Sequence, residues 1–229
     1  MKKGVFIAFL GPVGVGKTTT IKYLAWRLRQ RRLNVITTFI KSYHGFSYIT
    51  WIFIARLVKA PKNLAPWYAV PTVLGLKKVA RVLATLSAYF DVVLYLPLKL
   101  FIMLLLRKGG FIIISEEYIT STFLDYLLSL KDLKASLEIP LKILYILNLK
   151  LRPDITIFLD AEEDSILRRW SIRGYGDPQR KYVRLQRRAL PYLCKVFSHN
   201  SIVIDTTHKN MEETVKIAEM MLWDILQRK

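Results

Sequence analysis

The run Gly11-Pro12-Val13-Gly14-Val15-Gly16-Lys17-Thr18-Thr19 fits the phosphate-loop spacing G-x-x-x-x-G-K-[ST]. Glycines at 11, 14 and 16 let the backbone curl, so that amides from about Gly14 to Thr19 converge on the β- and γ-phosphates of a nucleoside triphosphate. Lys17 brings a point charge to the transferring phosphoryl group, and the Thr18 hydroxyl suits Mg²⁺. A nucleoside triphosphate with Mg²⁺ is therefore what these residues predict, with Pro12, Val13, Val15 and Thr19 completing the cradle.

Two further groups of residues carry chemistry. The stretch Ser115-Glu116-Glu117-Tyr118 places two adjacent carboxylates directly after the apolar run "FIII", in a chain of net charge +19. The segment from Arg168 to Arg188 is rich in arginine and contains glycines at 174 and 176. Such a segment suits a lid that brings cations over the transferring phosphate, and Arg168, Arg169 and Arg173 are its first candidates, with Arg180 and Arg184 next. A solvated basic helix or a nucleic-acid-binding face has the same charge pattern. No Asn-Lys-x-Asp motif is present, and "NLKL" at 148–151 lacks the acid, which argues against a guanine-nucleotide switch.

These groups need elements to hold them. "GVFIAFL" (4–10), "NVITTFIK" (34–41), "FIIIS" (111–115), "DITIFLD" (154–160) and "SIVIDT" (201–206) read as strands. They are dense in Ile, Val and Phe without alternation, as in a parallel sheet covered on both faces. "KTTTIKYLAWRLRQRRL", ending near Asn34, reads as the helix after the phosphate loop. The predicted fold class is α/β, in one domain spanning 1–229 with the lid at about 168–188. The region from Ser42 to Leu106 should form broken helices, because Pro61, Pro66, Pro71 and Pro97 interrupt it. Its aromatic residues are expected mainly in the core.

Composition bounds the rest. With 229 residues, 52% hydrophobic and 23% charged, the chain can bury a sizeable core. One cysteine, Cys194, excludes an intrachain disulfide framework, and the apolar run at the N-terminus is short for a secretory signal, so a cytoplasmic location is expected. A sequence pI near 10 predicts attraction to polyanions, including weak association with anionic membrane or nucleic acid. Val92 to Leu106 is apolar but only about 15 residues long, short of the roughly 20 that span a bilayer. A core or oligomer-interface helix is the expectation there. Neither His44, His199 and His208 nor Cys194 suggests a zinc site.

The chain resembles the thymidylate kinase family of nucleoside monophosphate kinases over most of its length. Four landmarks in order carry the likeness: "GPVGVGKTT"; "SEEYITS", which is similar to Asp-Arg-Tyr-x-x-Ser; "LRPDITIFLD", which is similar to Pro-Asp-x-Thr-x-x-Leu-Asp; and the arginine-rich segment in the lid position. The resemblance implies a P-loop fold with a five-stranded parallel sheet, transfer of the ATP γ-phosphate to a nucleoside monophosphate such as dTMP, and a homodimer packed through long helices. It places Glu116 on Mg²⁺ or its water ligands, and Tyr118 and Ser121 toward the acceptor. At Tyr118 and Ser121, helix-start capping and core packing remain open as the alternative.

The acceptor side departs from that pattern. Val13 stands where the family has an acid, Lys41 takes the place of an arginine after the second strand with no carboxylate following, and Asp91-Val92 stands for Asp-Arg. Glu117 occupies the position of the arginine that would hold the acceptor phosphate, with Lys41, Lys77, Lys78 and Arg81 as replacement cations. Two readings stay open: a kinase of this type, with a nucleotide acceptor or a different, even apolar, one; and an ATP-binding protein acting as a basic membrane- or nucleic-acid-surface module.

Overall fold

Five apolar runs become five strands in the computed structural model, which describes residues 4–43, 45–61, 64–172 and 180–227. They are β1 (Phe6–Leu10), β2 (Val35–Phe39), β3 (Ile112–Glu116), β4 (Ile155–Asp160) and β5 (Ser201–Asp205), all parallel in the order β2-β3-β1-β4-β5. Side chains of one strand alternate between faces, and β1 shows it: Phe6, Ala8 and Leu10 enter one core, Val5, Ile7 and Phe9 the other. Apolar residues at every position are thus what a strand with helices on both faces requires. The chain is α/β with an all-parallel sheet between helical layers, the arrangement of a P-loop NTPase fold.

One layer contains α1 (Lys17–Gln30) and α10 (Met211–Gln227), which pack together through Leu24, Leu28, Val215 and Leu222. The other layer holds α2 (Phe46–Leu57), the short α3 (Pro66–Tyr68), α4 (Lys77–Phe90), α5 (Leu96–Lys108), α6 (Ile119–Leu133) and α7 (Glu138–Lys150). Beyond β4 come α8 (Glu163–Ile172) and α9 (Arg180–Phe197).

The middle region corrects an expectation. Proline does not break it at residue 97. Lys77–Lys108 is one run of 32 helical residues, passing from α4 to α5 through a π turn at Asp91–Tyr95 that the Leu96 N–H closes onto the Asp91 carbonyl. Pro97 follows in the first turn of α5, where the preceding wide turn accommodates its ring. The run is long and apolar enough to cross a bilayer, and its most apolar stretch is only 28% buried. Val82, Leu86, Phe90, Val93, Phe101 and Leu105 are all at least half exposed, so only the inner face of the helix, with Leu83, Val92, Leu96, Leu100 and Met103, belongs to the core.

Its inner face is tied down by a buried carboxylate. Asp91, 1% exposed, accepts from the Tyr43 N–H at 2.9 Å, the Ser47 hydroxyl at 2.7 Å and the Tyr126 hydroxyl at 2.6 Å. Trp51 donates its indole N–H to Ser87 at 3.0 Å nearby. Tyr43 and Trp51 lie in the core as expected, whereas Tyr48 and Phe53 are exposed.

Candidate active site

The phosphate loop leaves the tip of β1, the middle strand, and enters α1. Gly11 adopts φ +145, and a Cβ there would stand 2.2 Å from the Leu159 carbonyl oxygen of neighbouring β4, so a side chain is excluded. Gly16 opens α1 at φ +97, with open space where a Cβ would project. Lys17, 6% exposed, curls back over the loop and donates Nζ to the carbonyls of Gly11 at 2.6 Å and Pro12 at 3.0 Å. Val15 is buried and its carbonyl accepts the Thr206 hydroxyl at 3.2 Å. Gly14 is also buried, Val13 is partly exposed and Thr19 is exposed. Open space beside Gly16 next to a helix N-terminus and a lysine suits a nucleotide phosphate chain.

Parallel pairing sets the adjacent carboxylates beside this loop. Phe9 of β1 is level with Glu116 of β3, and Thr18 donates its hydroxyl to Glu116 Oε1 at 2.6 Å. A hydroxyl and a carboxylate oxygen, with no third His, Cys, Asp or Glu grouped near them among the described residues, suit a hard cation that takes its remaining ligands from phosphate and water. Thr18 and Glu116 could hold Mg²⁺ in this way.

Glu117 turns the chain from β3 toward α6 with φ +63, and the Ser115 hydroxyl donates to its carbonyl at 2.6 Å. Its side chain is buried against cations: Oε1 lies 3.1 Å from Lys17 Nζ and 3.8 Å from Lys41 Nζ, while Oε2 has no hydrogen-bond partner. Burial works to raise this carboxyl's pKa, but Lys17 and then Lys41 outweigh it and hold the group below the usual carboxylate range. Burial likewise works to lower the Lys41 pKa, and the charges of Glu117, Asp125 and Glu116 reverse it to a raised value. The two lysines thus do serve Glu117. Lys77, Lys78 and Arg81 are exposed, and Arg81 donates Nε to the Leu133 carbonyl at 2.7 Å.

A third carboxylate escaped the sequence analysis. Asp125 of α6 accepts the Ser42 hydroxyl at 2.6 Å and the Tyr182 hydroxyl of α9 at 2.5 Å. Burial raises its pKa despite the opposing charge of Lys41 and the two hydroxyl donors. One signal was available: Asp125 stands four residues after Ser121, on the same face of the helix that Glu117 introduces.

Tyr118 requires a correction. Its hydroxyl donates to the Leu151 carbonyl at 2.6 Å and its ring packs edge-on to Phe6, so it supports the core and does not face an acceptor. Ser121 caps the start of α6, donating to the Tyr118 carbonyl at 2.8 Å and accepting from its N–H at 3.4 Å.

The lid arginines divide. Arg169 reaches Thr206, donating to its hydroxyl at 3.3 Å and its carbonyl at 3.0 Å, beside the phosphate loop. Arg168 is exposed. Arg184 pairs with Glu163 at 2.7 Å, Arg180 with the same carboxylate at 3.6 Å, and Arg187, which the sequence did not single out, grips Asp160 at 2.8 and 3.2 Å. Arg173 lies outside the described residues.

The sequence that builds this loop has a distant relative among known proteins. The chain is 25% identical over 201 residues to a thymidylate kinase of Rickettsia typhi (strain ATCC VR-144 / Wilmington), covering 86% of this chain and 82% of that protein. The relationship is thymidylate kinase-like and distant. No protein-family model matches the chain. A distant kinship with a thymidylate kinase suggests a kinase of the nucleoside monophosphate type, with nucleotide-binding and transferase character, and agrees with the phosphate-loop geometry.

Proposed function

We propose that this chain is a phosphotransferase that moves the γ-phosphate of ATP, in the presence of Mg²⁺, to a nucleoside monophosphate resembling dTMP. The observation carrying this reading is the buried Lys17 of the phosphate loop, adjoining the Thr18–Glu116 pair at the tip of the next strand. The kinship with a thymidylate kinase supports the acceptor class.

Bound MgATP supplies the electrophilic phosphorus and neutralises charge between its phosphates. The chain's residues do the positioning. The loop amides and Lys17 would hold the donor phosphates, Thr18 and Glu116 would hold the metal, and Arg168 and Arg169 would bring positive charge from α8, with Arg173 next in sequence outside the described residues. Lys17 then exchanges its carbonyl partners at Gly11 and Pro12 for phosphate oxygens, a charge-assisted contact in place of a neutral one. No covalent enzyme intermediate is required for in-line transfer.

A second reading concerns the acceptor, and Glu117 favours it. A phosphate monoester brought within about 5 Å of an ionised carboxylate meets about 3 kcal/mol of repulsion per charge pair at an effective dielectric of 20. Glu117 and Asp125 both flank this side, and the two nearest lysines are already shared with Glu117. A neutral hydroxyl acceptor avoids that repulsion and can donate to Asp125. The test is ADP release by the full chain with MgATP and either dTMP or thymidine. Stimulation by dTMP, with dTDP as product, supports the first reading; stimulation by thymidine alone supports the second. Nucleotide consumption indifferent to every acceptor would overturn both.

A further inference from the structure

We propose that the outer face of the Lys77–Lys108 helix docks this protein onto an anionic lipid surface, with the helix lying along the membrane. Four observations carry it. The first is the face itself. Leu86, Phe90, Val93, Leu98, Phe101 and Leu105 stand more than half exposed along one run, and α2 beside it adds Ile49, Phe53 and Leu57. Contiguous apolar exposure of this extent marks an interaction surface. A helix that is apolar on its inner and outer faces alike belongs in an apolar surrounding on both sides.

The second observation is orientation. The inner face is fixed to the domain by Asp91, which collects Tyr43, Ser47 and Tyr126, and by the Ser87–Trp51 bond. The helix therefore cannot leave the domain to span a bilayer without exposing those groups, but it can lie with its outer residues in the headgroup boundary.

The third is charge, and it selects the occupant. Lys77, Lys78 and Arg81 frame one end of the face and Lys108 the other, while the run's one acid, Asp91, is buried and Arg107 is turned inward onto Asp154 at 2.8 Å. A second copy placed on this face by a two-fold axis sets cation against cation at both ends, whether the helices run parallel or antiparallel. The partner must instead bring negative charge, and a sheet of anionic headgroups over acyl chains brings both components in the right order.

The fourth is a cleft of about 130 Å³ at the C-terminal end of the same helix, between Leu100 and Leu104 and the residues Lys150, Arg152 and His199. It has an apolar wall, the basic side chains of Lys150 and Arg152, the Arg107 guanidinium that pairs with Asp154 at 2.8 Å, and a buried Arg152 Nε without a partner. It fits an anionic headgroup with the beginning of its chain.

The experiment is flotation of the full chain with vesicles of phosphatidylcholine alone and of phosphatidylcholine mixed with phosphatidylglycerol. Binding is expected to the mixed vesicles, weakening with salt, and to fall at least about tenfold in Leu86→Glu/Phe90→Glu/Phe101→Glu, with ATP binding unchanged. Lys77→Gln/Lys78→Gln, which touches no apolar contact, should reduce binding and its salt dependence. Equal binding to neutral vesicles would overturn the proposal. So would a dimer in solution that floats with neither vesicle, or binding to an acidic polypeptide in place of lipid.

Discussion

Thr18 and Glu116, 98 positions apart in sequence, share a hydrogen bond of 2.6 Å because β1 and β3 lie side by side and in parallel. That contact joins the phosphate loop to the first of two adjacent carboxylates, and Thr18 with Glu116 is the pair proposed above to hold Mg²⁺. Replacing Glu116 by alanine is expected to raise the Mg²⁺ concentration for half-maximal ATP binding by about 10–100-fold, the usual effect of removing a supporting oxygen. Magnesium titration followed by a fluorescent ATP analogue measures it.

Lys17→Ala should lower phosphoryl transfer by about 10³-fold, since no other described cation lies on the loop carbonyls at Gly11 and Pro12. The chain should remain folded by circular dichroism. Unchanged turnover would remove Lys17 from the site.

Glu117→Gln tests the ion pairs to Lys17 and Lys41. At neutral pH the variant is expected to lose about 3 kcal/mol of stability, because two buried ammonium groups lose their shared carboxylate. Glu117 titrates lower when folded than when unfolded. Its contribution is therefore full above the unfolded carboxylate value and fades as pH falls through the folded one. Lys41 is raised, so its contribution is full below the unfolded lysine value and is lost as pH climbs through the folded one. Urea unfolding across pH should show the difference between wild type and variant shrinking toward the acid end.

Asp125 has the opposite sign to Glu117. Burial raises its carboxyl, so ionising it opposes folding as pH rises through the unfolded value. Asp125→Asn keeps one acceptor oxygen and replaces the other by an NH2 donor, onto which the Ser42 hydroxyl can turn to accept, and with the buried charge removed it should raise the melting temperature at neutral pH relative to wild type. The same variant should lower acceptor-dependent turnover in the assay that separates dTMP from thymidine.

Asp91→Ala removes the acceptor of three donors in one buried spot. At about 1–3 kcal/mol for each group left unpaired, a loss of about 3 kcal/mol or more is expected by chemical denaturation.

The strands and the phosphate loop were legible because each follows from local rules: continuous Ile, Val and Phe for a twice-covered sheet, and glycine spacing for a loop that Leu159 crowds at Gly11. The helix from Lys77 to Lys108 was not. Pro97 signals a break in sequence, and only the wide turn at Asp91, held by Tyr43 and Tyr126 from other elements, makes continuity possible. Tyr118 was read toward the acceptor from its motif position, yet its ring follows the turn at Glu117 into the core. Asp125 stayed hidden because its partners, Ser42 and Tyr182, are 83 and 57 positions away.

The turn at Asp91–Tyr95 also acts as a phase setter. Each residue of an α-helix advances about 100° around the axis, so deleting one residue there would rotate everything after it by that amount. Leu100 and Met103 would swing out of the core, and part of the outer apolar row would swing in. Chains of this type should therefore tolerate many substitutions in α5 but few changes of length at its entry.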